Sequence, residues 1–392
     1  MEPENITKTP LHVLMASGVP RRREGGVAAI IYNLGREFEH RGHRVSYIFQ
    51  EDLIEPATVS RRFAETIFSW RLAKHIAANR DQFSIVNLHA PIGFPYGLLR
   101  RWHRGKGYPP YIMTLHGLEE RRVHVMSREV KKGRAWHFSW KNRLWHRWYV
   151  HPRFRWSIRT ADGAHAYSRD VWNLLQLKYN LDADRVAYIA NGVEARFFVA
   201  REYRTDGPIR LLYAGTWLDQ RGIFYLRDAL RNLAVKLPGM TMTFAGCGVP
   251  EAEITGFFQA ELARRILVRP VVAAEGMQEL YAEHDVLLFP SLMEGLPSVL
   301  LEAMAGGMPV ITTETCGMPD VVEHEHNGIL IAPASAKAIE DAVLRLAESR
   351  ELRKRLGCAA RATMRRYTWE RSAAQLEALY LRILEKEANV AA

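Results

Sequence analysis

Cysteine is scarce in this chain, with three residues in 392, at positions 247, 316 and 358. So odd and widely spaced a trio builds neither a disulfide framework nor a zinc site. Cys247, Cys316 and Cys358 are expected as free thiols in a reducing, cytoplasmic compartment. Long apolar runs are also missing. Nothing approaches the ~18 residues that a membrane-spanning helix needs, so the chain does not read as an integral membrane protein. The first residues, MEPENITKTP, are polar and acidic and are expected not to form a secretory signal. The absence of short-period repeats excludes a repeat array. No Gly-x-Gly-x-x-Gly with a following acidic residue appears. The weak Gly-x-Gly of AGCG (245–248) does not by itself indicate a nicotinamide cofactor. No cofactor and no metal are expected, because no metal-ligating cluster stands out.

Acidic residues are short in one half only. The formal net charge is +11. Residues 1–200 hold 32 Lys and Arg against 18 Asp and Glu, whereas residues 201–392 hold 22 against 25. A basic first half calls for an anionic partner: nucleic acid, an anionic membrane surface or a phosphorylated substrate. At 392 residues the chain is too long for one ordinary core, and two or three domains are expected.

What the chain has in abundance is short apolar strands alternating with amphipathic helices. In the first half the strands read at 11–16, 44–49, 84–89, 111–116, 163–168 and 185–190. In the second they read at 209–215, 242–246, 266–272, 285–291, 309–313 and 328–332. Strands alternating with helices imply parallel doubly wound sheets, so the expected class is α/β with two Rossmann-like domains in tandem. The polar stretch VAREYRTDGPIR (199–210) reads as the linker. A last helix over 367–387 has an apolar stripe of Leu376, Leu379, Tyr380, Ile383 and Leu384.

Ligands of open α/β sheets bind beyond the carboxyl ends of the strands, which directs attention to the residues just past each strand. Glu294 and Glu302, eight residues apart, sit in FPSLMEGLPSVLLEAMAGGMPVI (289–311). The segment reads as a strand end, a loop with Glu294, and a helix from Ser298 with Glu302 one turn in. Gly295, Leu296 and Pro297 lead the backbone into the helix N-terminus, which offers N–H groups to an anion with a carboxylate on each side. A phosphate flanked by hydroxyls, as in a nucleotide sugar, suits that arrangement. After the first strand, Gly25 and Gly26 open a helix and let bare backbone approach a phosphate or sugar, although such a pair is often only a turn. His116, with Gly117 after it, can bond a sugar hydroxyl or act as a general base. Gly215 and Thr216 end another strand, with Arg221 placed to neutralise a leaving diphosphate.

Residues 118–160 are unusual: 12 Lys and Arg, three acidic residues and five of the ten Trp. Trp136, Trp140, Leu144 and Trp148 fall on one face of a helix, with Lys141, Arg143 and Arg147 beside them. An interfacial helix on an anionic membrane has this pattern, and so does a helix packing its Trp on its own domain. Base stacking on Trp would also suit single-stranded nucleic acid, but no nucleic-acid module accompanies it and none is expected as partner.

Taken together these segments resemble the retaining glycosyltransferases of family four, with the GT-B fold. GGVAAIIYNLGREFEHRGHRV is similar to that family's opening loop, helix and Gly-His turn. TLHG is similar to its strand-end histidine, and YIANGVEARFF to the segment closing its first domain, with Glu194 in place of the usual Asp. FPSLMEGLPSVLLEAMAGGMPVI matches its Glu-x7-Glu motif. The resemblance implies a first, acceptor-binding domain of residues 1–198 plus a crossing-back helix, 367–392. A donor-binding domain of 208–366 and a linker of 199–207 complete it. It implies Glu302 on the ribose hydroxyls, Glu294 on the transferred sugar, and the backbone of Gly295, Leu296, Pro297 and Ser298 towards sugar and diphosphate. Gly25 and Gly26 would face the diphosphate from the other domain, with His116 by the reactive sugar and the Val272 backbone on the base. One departure stands out: Gly215 is followed by Thr216 where the family often has Arg, and Arg221 stands in a Lys place. Arg21, Arg22 or Arg23 are candidates to compensate. The implied activity is metal-independent retaining transfer from a UDP- or GDP-sugar to a glycan or lipid-linked saccharide, in cell-surface polysaccharide synthesis. The enzyme would be cytoplasmic or peripheral on the membrane. A nucleotide-sugar epimerase on the same scaffold and a non-catalytic binder of anionic ligands are the alternatives.

Overall fold

The computed structural model describes residues 9–21, 25–55, 59, 61–103, 107–117, 119–136 and 138–391. All twelve expected strands form. The first six, β1 (His12–Ala16), β2 (Arg44–Ile48), β3 (Ile85–His89), β4 (Tyr111–Leu115), β5 (Gly163–Ala166) and β6 (Val186–Tyr188), make one sheet in the order β2-β1-β3-β4-β5-β6. The next six are β7 (Arg210–Ala214), β8 (Thr241–Ala245), β9 (Ile266–Arg269), β10 (Val286–Phe289), β11 (Val310–Thr313) and β12 (Ile329–Ile331). They make a second sheet in the order β12-β11-β10-β7-β8-β9. Every pairing is parallel. Helices cover both faces, which is why β3 and β4 are buried along their whole length and read as near-continuous apolar runs. The strand expected over 266–272 stops at Arg269, because Pro270 has no N–H to continue the ladder.

The helices that shape the site are α1 (Gly26–His40), α2 (Arg61–Ala78), α3 (Glu119–Lys131), α4 (Trp140–Trp145) and α5 (His151–Thr160) in the first half. In the second they are α6 (Ile223–Lys236), α7 (Ala274–Glu283), α8 (Ser298–Ala305) and α9 (Trp369–Ala391). The last of these returns to the first sheet. Tyr380 of α9 stacks against Phe38 of α1 and accepts a 2.6 Å hydrogen bond from Asn87 Nδ2 of β3. Arg41 Nε bonds Glu377 at 2.5 Å. Leu376, Leu379, Tyr380 and Ile383 are all buried. At ~1.5–3 kcal/mol for each large apolar side chain, their burial outweighs what any single surface ion pair adds. The resulting core runs through both halves, joining Tyr167 and Ile189 to Leu296, Leu300, Met318 and Trp369.

The segment 136–160 departs from the expected single helix. Ser139 Oγ caps α4 by accepting from Asn142 N at 3.3 Å, so the helix begins at Trp140 and Trp136 lies outside it. A π-helical turn, His146–Val150, then joins α4 to α5. Trp136 packs across to the second half, edge-on to Phe224 of α6 and to Phe257. Trp140, Leu144 and Trp148 face outward, Trp148 with 73% of its surface exposed.

Candidate active site

In the second sheet strand order reverses between β7 and β10, so the loops leaving these strands flank a crevice at their carboxyl ends. β7 runs through Gly215, with Thr216 exposed, into a helical turn at Asp219–Arg221. β10 runs into the loop with Glu294. There Arg221 and Glu294 form an ion pair, and the guanidinium lies 5.3 Å from the centre of the Phe289 ring. Gly222 takes φ +75°, and a Cβ on it would strike the Pro290 carbonyl, so glycine is required where the two loops touch.

Beyond Glu294 the chain enters α8. Leu300 and Leu301 turn their N–H groups back to Pro297 O at 3.1 and 3.5 Å, leaving those of Ser298 and Val299 as donors at the helix N-terminus. Leu296 is buried and its carbonyl accepts from Asn191 Nδ2 of the first half at 3.1 Å. Glu302 sits one turn into α8 and accepts a 2.9 Å hydrogen bond from Tyr281 Oη of α7. Burial raises the Glu302 carboxyl to about 7, helped by nearby Glu194 and opposed by the Tyr281 hydrogen bond and Arg196. Arg196 bonds Glu194 at 2.8 Å and reaches Glu275 of α7 at 3.7 Å. Val272 lies just before α7, half-buried against the core.

The first half contributes His116, immediately after β4. Its ring is held between His89 and Tyr167, with ring centres 5.0 and 4.8 Å away. His116 Nε2 makes a 2.8 Å hydrogen bond with His89 Nδ1. Burial, with His165 nearby, lowers His116 to about 3, so the ring is neutral at any physiological pH. His116 and Glu294 line one cavity of about 220 Å³ between the halves, with Gly117, Glu119, Arg122 and Phe154 on one side and Gln220, Met293 and Gly295 on the other. The halves touch at its edge: a Cβ on Gly295 would overlap the His116 carbonyl oxygen. Both carboxylates of the cavity are ion-paired, Glu294 with Arg221 and Glu119 with His146 and Arg122.

The structure therefore brings together His116, Glu294, Gly295 and Arg221. It places Pro297, Ser298 and Glu302 along the adjoining helix start, and Val272 beside the helix that carries Tyr281. Gly25 and Gly26 stand at the N-terminus of α1 with φ of +75° and +66°, and a Cβ on either would meet nothing within 4 Å. They are glycines for backbone conformation, and the space beside them is open. The Arg21 guanidinium is paired with Asp52, 2.5 Å away, and the Arg21 backbone N–H donates to Glu51 at 3.0 Å. Arg22 and Arg23 lie outside the described residues. Among the described residues no group of three or more His, Cys, Asp or Glu could hold a metal ion. One Asp-x-Asp occurs, at Asp182 and Asp184, but it precedes β6 at the amino end of the sheet, and Asp184 pairs with Lys386 of α9.

Several site residues escaped the sequence reading. Tyr281 and Arg196 carry no local motif. His89, His165 and Tyr167 did leave a signal: N-L-H, T-L-H and H-A-Y at the ends of β3, β4 and β5 repeat a polar-apolar-polar alternation where buried strands otherwise run apolar.

Comparison with known proteins identifies the family and the fold. The family model for glycosyltransferase family 4 matches residues 24–197, and that for glycosyl transferases group 1 matches residues 197–363. An uncharacterized glycosyltransferase of Methanocaldococcus jannaschii is 23% identical over 320 residues, covering 82% of this chain and 81% of its own. Among solved structures, a sucrose-phosphate synthase from Thermosynechococcus elongatus superposes with a TM-score of 0.77 at 20% identity, covering 97% of this chain and 100% of the other. The Anabaena HepE protein in complex with UDP-glucose superposes at 0.67 and 16% identity, covering 97% of this chain and 100% of the other. At these identities the two structures establish the fold.

Proposed function

The chain belongs to the group 1 glycosyltransferases of GT-B fold, and from that premise we propose that it moves a sugar from a UDP- or GDP-sugar to a hydroxyl of a glycan or lipid-linked saccharide, with retention of anomeric configuration. The carrying observation is the cavity between the halves, lined by both His116 and Glu294 at the crevice of the second sheet, with Arg221 paired to Glu294. Glu302 takes the ribose hydroxyls. The Ser298 and Val299 amides, with Arg221, take the diphosphate where a metal ion would otherwise act. Thr216, although no cation, leaves a hydroxyl at the same loop.

The charge pairing argues against a covalent glycosyl-enzyme intermediate, so the retaining transfer proposed here needs a front-side route. A carboxylate held by a guanidinium is a poor nucleophile, and both carboxylates in the cavity are held this way, Glu294 by Arg221 and Glu119 by Arg122. Glu294 therefore holds sugar hydroxyls and steadies oxocarbenium character, and the acceptor attacks on the face the diphosphate leaves, with the departing phosphate taking its proton. The test is a donor panel of UDP-glucose, UDP-N-acetylglucosamine and GDP-mannose with candidate lipid-linked and free glycan acceptors. NMR of the product should show the anomeric configuration of the donor. Interconversion of the donor sugar without acceptor would support the epimerase alternative instead.

The acceptor side of the reading rests on the outward face of α4 and the π-helical turn that follows it. Trp140, Leu144 and Trp148 are exposed there, as are Phe63 and Trp70 of α2, and the Phe63 ring lies edge-on to Trp145. α2 is tied alongside by the Thr66–Tyr149 hydrogen bond of 2.6 Å. Lys141, Arg143 and Arg147 belong to the same stretch. All three acids of 118–160 are engaged elsewhere: Glu119 with Arg122 and His146, Glu120 with His151 and Tyr179, and Glu129 with Lys132 and Tyr225. Exposed aromatics beside cations that no acid pairs among the described residues suit an anionic bilayer surface. A lipid-linked acceptor at the cytoplasmic membrane face, as in cell-surface polysaccharide assembly, is the substrate this implies. Replacing Lys141, Arg143 and Arg147 together by Gln should abolish co-flotation with phosphatidylglycerol vesicles; unchanged flotation would remove the membrane reading.

A further inference from the structure

We propose that His89 is a positioning residue for sugar transfer: it fixes His116 with its proton on Nδ1, so that His116 meets the sugar as a hydrogen-bond donor and not as a base. The inference rests on the reading of His116 as a sugar-contacting residue.

β3, β4 and β5 are neighbours, and His89 pairs with Thr114, which pairs with His165. Because side chains alternate, Asn87 and His89, Thr114 and His116, and His165 and Tyr167 stand in one row on one face. The far end of the row is already committed. His165 Nε2 lies 3.0 Å from the Ile189 carbonyl, which can only accept, so His165 carries its proton there. Asn87 donates to Tyr380 and accepts from Thr114.

At the near end the two histidines share one hydrogen. His89 is fully buried, and its Nδ1 meets His116 Nε2 at 2.8 Å. A contact between two neutral imidazoles holds one proton, so two arrangements exist. If His116 Nε2 supplies it, His89 must carry its own proton on Nε2. That atom is buried with no partner among the described residues, so the arrangement strands an N–H donor. If His89 Nδ1 supplies it, His89 Nε2 keeps only a lone pair, and His116 carries its proton on Nδ1. Orphaned buried N–H groups are rarer than unmet acceptors, which favours the second arrangement.

The functional consequence comes from the inventory of the ring. With Nε2 accepting from His89 and the ring neutral, His116 has no lone pair free for a substrate proton. Its Nδ1–H can donate to a sugar hydroxyl or a phosphate oxygen. The His89 and Tyr167 rings on either side hold its plane. Of the two roles that the sequence leaves open for His116, hydroxyl ligand and general base, the first remains.

The test is spectroscopic and needs no substrate. Full-length protein labelled with 15N-histidine would be read by long-range proton–nitrogen correlation, with His116 assigned by its loss in His116→Gln. The expected result is a protonated Nδ1 and an unprotonated Nε2 in His116 of the wild type. His89→Leu should release that tautomer, and His89→Asn, whose amide can donate from a similar place, should restore it. In transfer from UDP-glucose or GDP-mannose, whichever serves as donor, kcat should fall about tenfold in His89→Leu with little change in KM, and recover in His89→Asn. A wild-type His116 protonated on Nε2 would overturn the proposal outright, even if His89→Leu does not fold. The expected tautomer with unchanged transfer in a folded His89→Leu would instead overturn the placing of His116 at the sugar.

Discussion

Gly295→Ala is the sharpest mechanical test of how the halves meet. An added Cβ would stand 2.0 Å from the His116 carbonyl oxygen, and real Cβ atoms stay at least 3.0 Å from their neighbours. The partners must therefore separate by about 1 Å, and neither is a flexible side-chain tip: one is the loop entering α8, the other the end of β4. The loop is also pinned by Gly317 N to Gly295 O at 3.0 Å and by Asn191 to Leu296 O at 3.1 Å. The strain is thus expected to move the two halves apart rather than to relax locally. A misplacement of about 1 Å between reacting groups costs on the order of 100-fold in rate, or about 2.7 kcal/mol of barrier. Nucleotide affinity should change little, because Glu302 and Tyr281 lie on one side of the opening. Steady-state kinetics with the selected donor, beside calorimetry with its nucleoside diphosphate, separates the two effects. A variant with wild-type kcat, or one that loses nucleotide binding as strongly as turnover, would refute the reasoning.

The same geometry sets other outcomes. Glu302 has its carboxyl raised to about 7, so nucleotide-sugar affinity should weaken as pH falls from 8 to 6 and become flat over that range in Glu302→Gln; isothermal titration at three pH values checks it. Arg221→Ala should lower kcat by about 10²–10³-fold by removing charge stabilisation of the leaving diphosphate, with Arg221→Lys recovering part of it in the same kinetic assay. His165 is lowered to about 4 against 6.5 when unfolded, so the unfolded chain takes up a proton that the native one refuses. Native stability from this group is thus intact above pH 6.5 and lost as pH falls towards 4, at up to about 1.4 kcal/mol per pH unit. Urea unfolding of His165→Gln between pH 6 and 5 should show a slope smaller by that amount, and an equal slope would count against it.

The sheets were legible because parallel strands covered on both faces must be apolar throughout, and twelve such runs alternate with helices. Glu294, Glu302 and the helix start between them were legible because they are local in sequence. The rest of the site is assembled by pairing across distance. Tyr281 reaches Glu302 from another helix, Asn191 reaches Leu296 from the other half, and the His89–His116–Tyr167 stack needs three strands in register. Trp136 shows the opposite failure. Its spacing to Trp140, Leu144 and Trp148 is helical, yet Ser139 caps the helix after it, and the indole crosses to Phe224 and Phe257. Capping overrode periodicity there. Arg21 is a further case: its sequence neighbours give no hint of Asp52, which the fold sets beside it.

The measurement that bears most directly on the central claim is calorimetric binding of UDP, GDP and ADP to the wild type beside Glu302→Ala. The account predicts that one nucleotide binds the wild type and that the variant loses that binding. Failure of the wild type to bind any of the three, or a Glu302→Ala variant that binds as well as wild type, would contradict it.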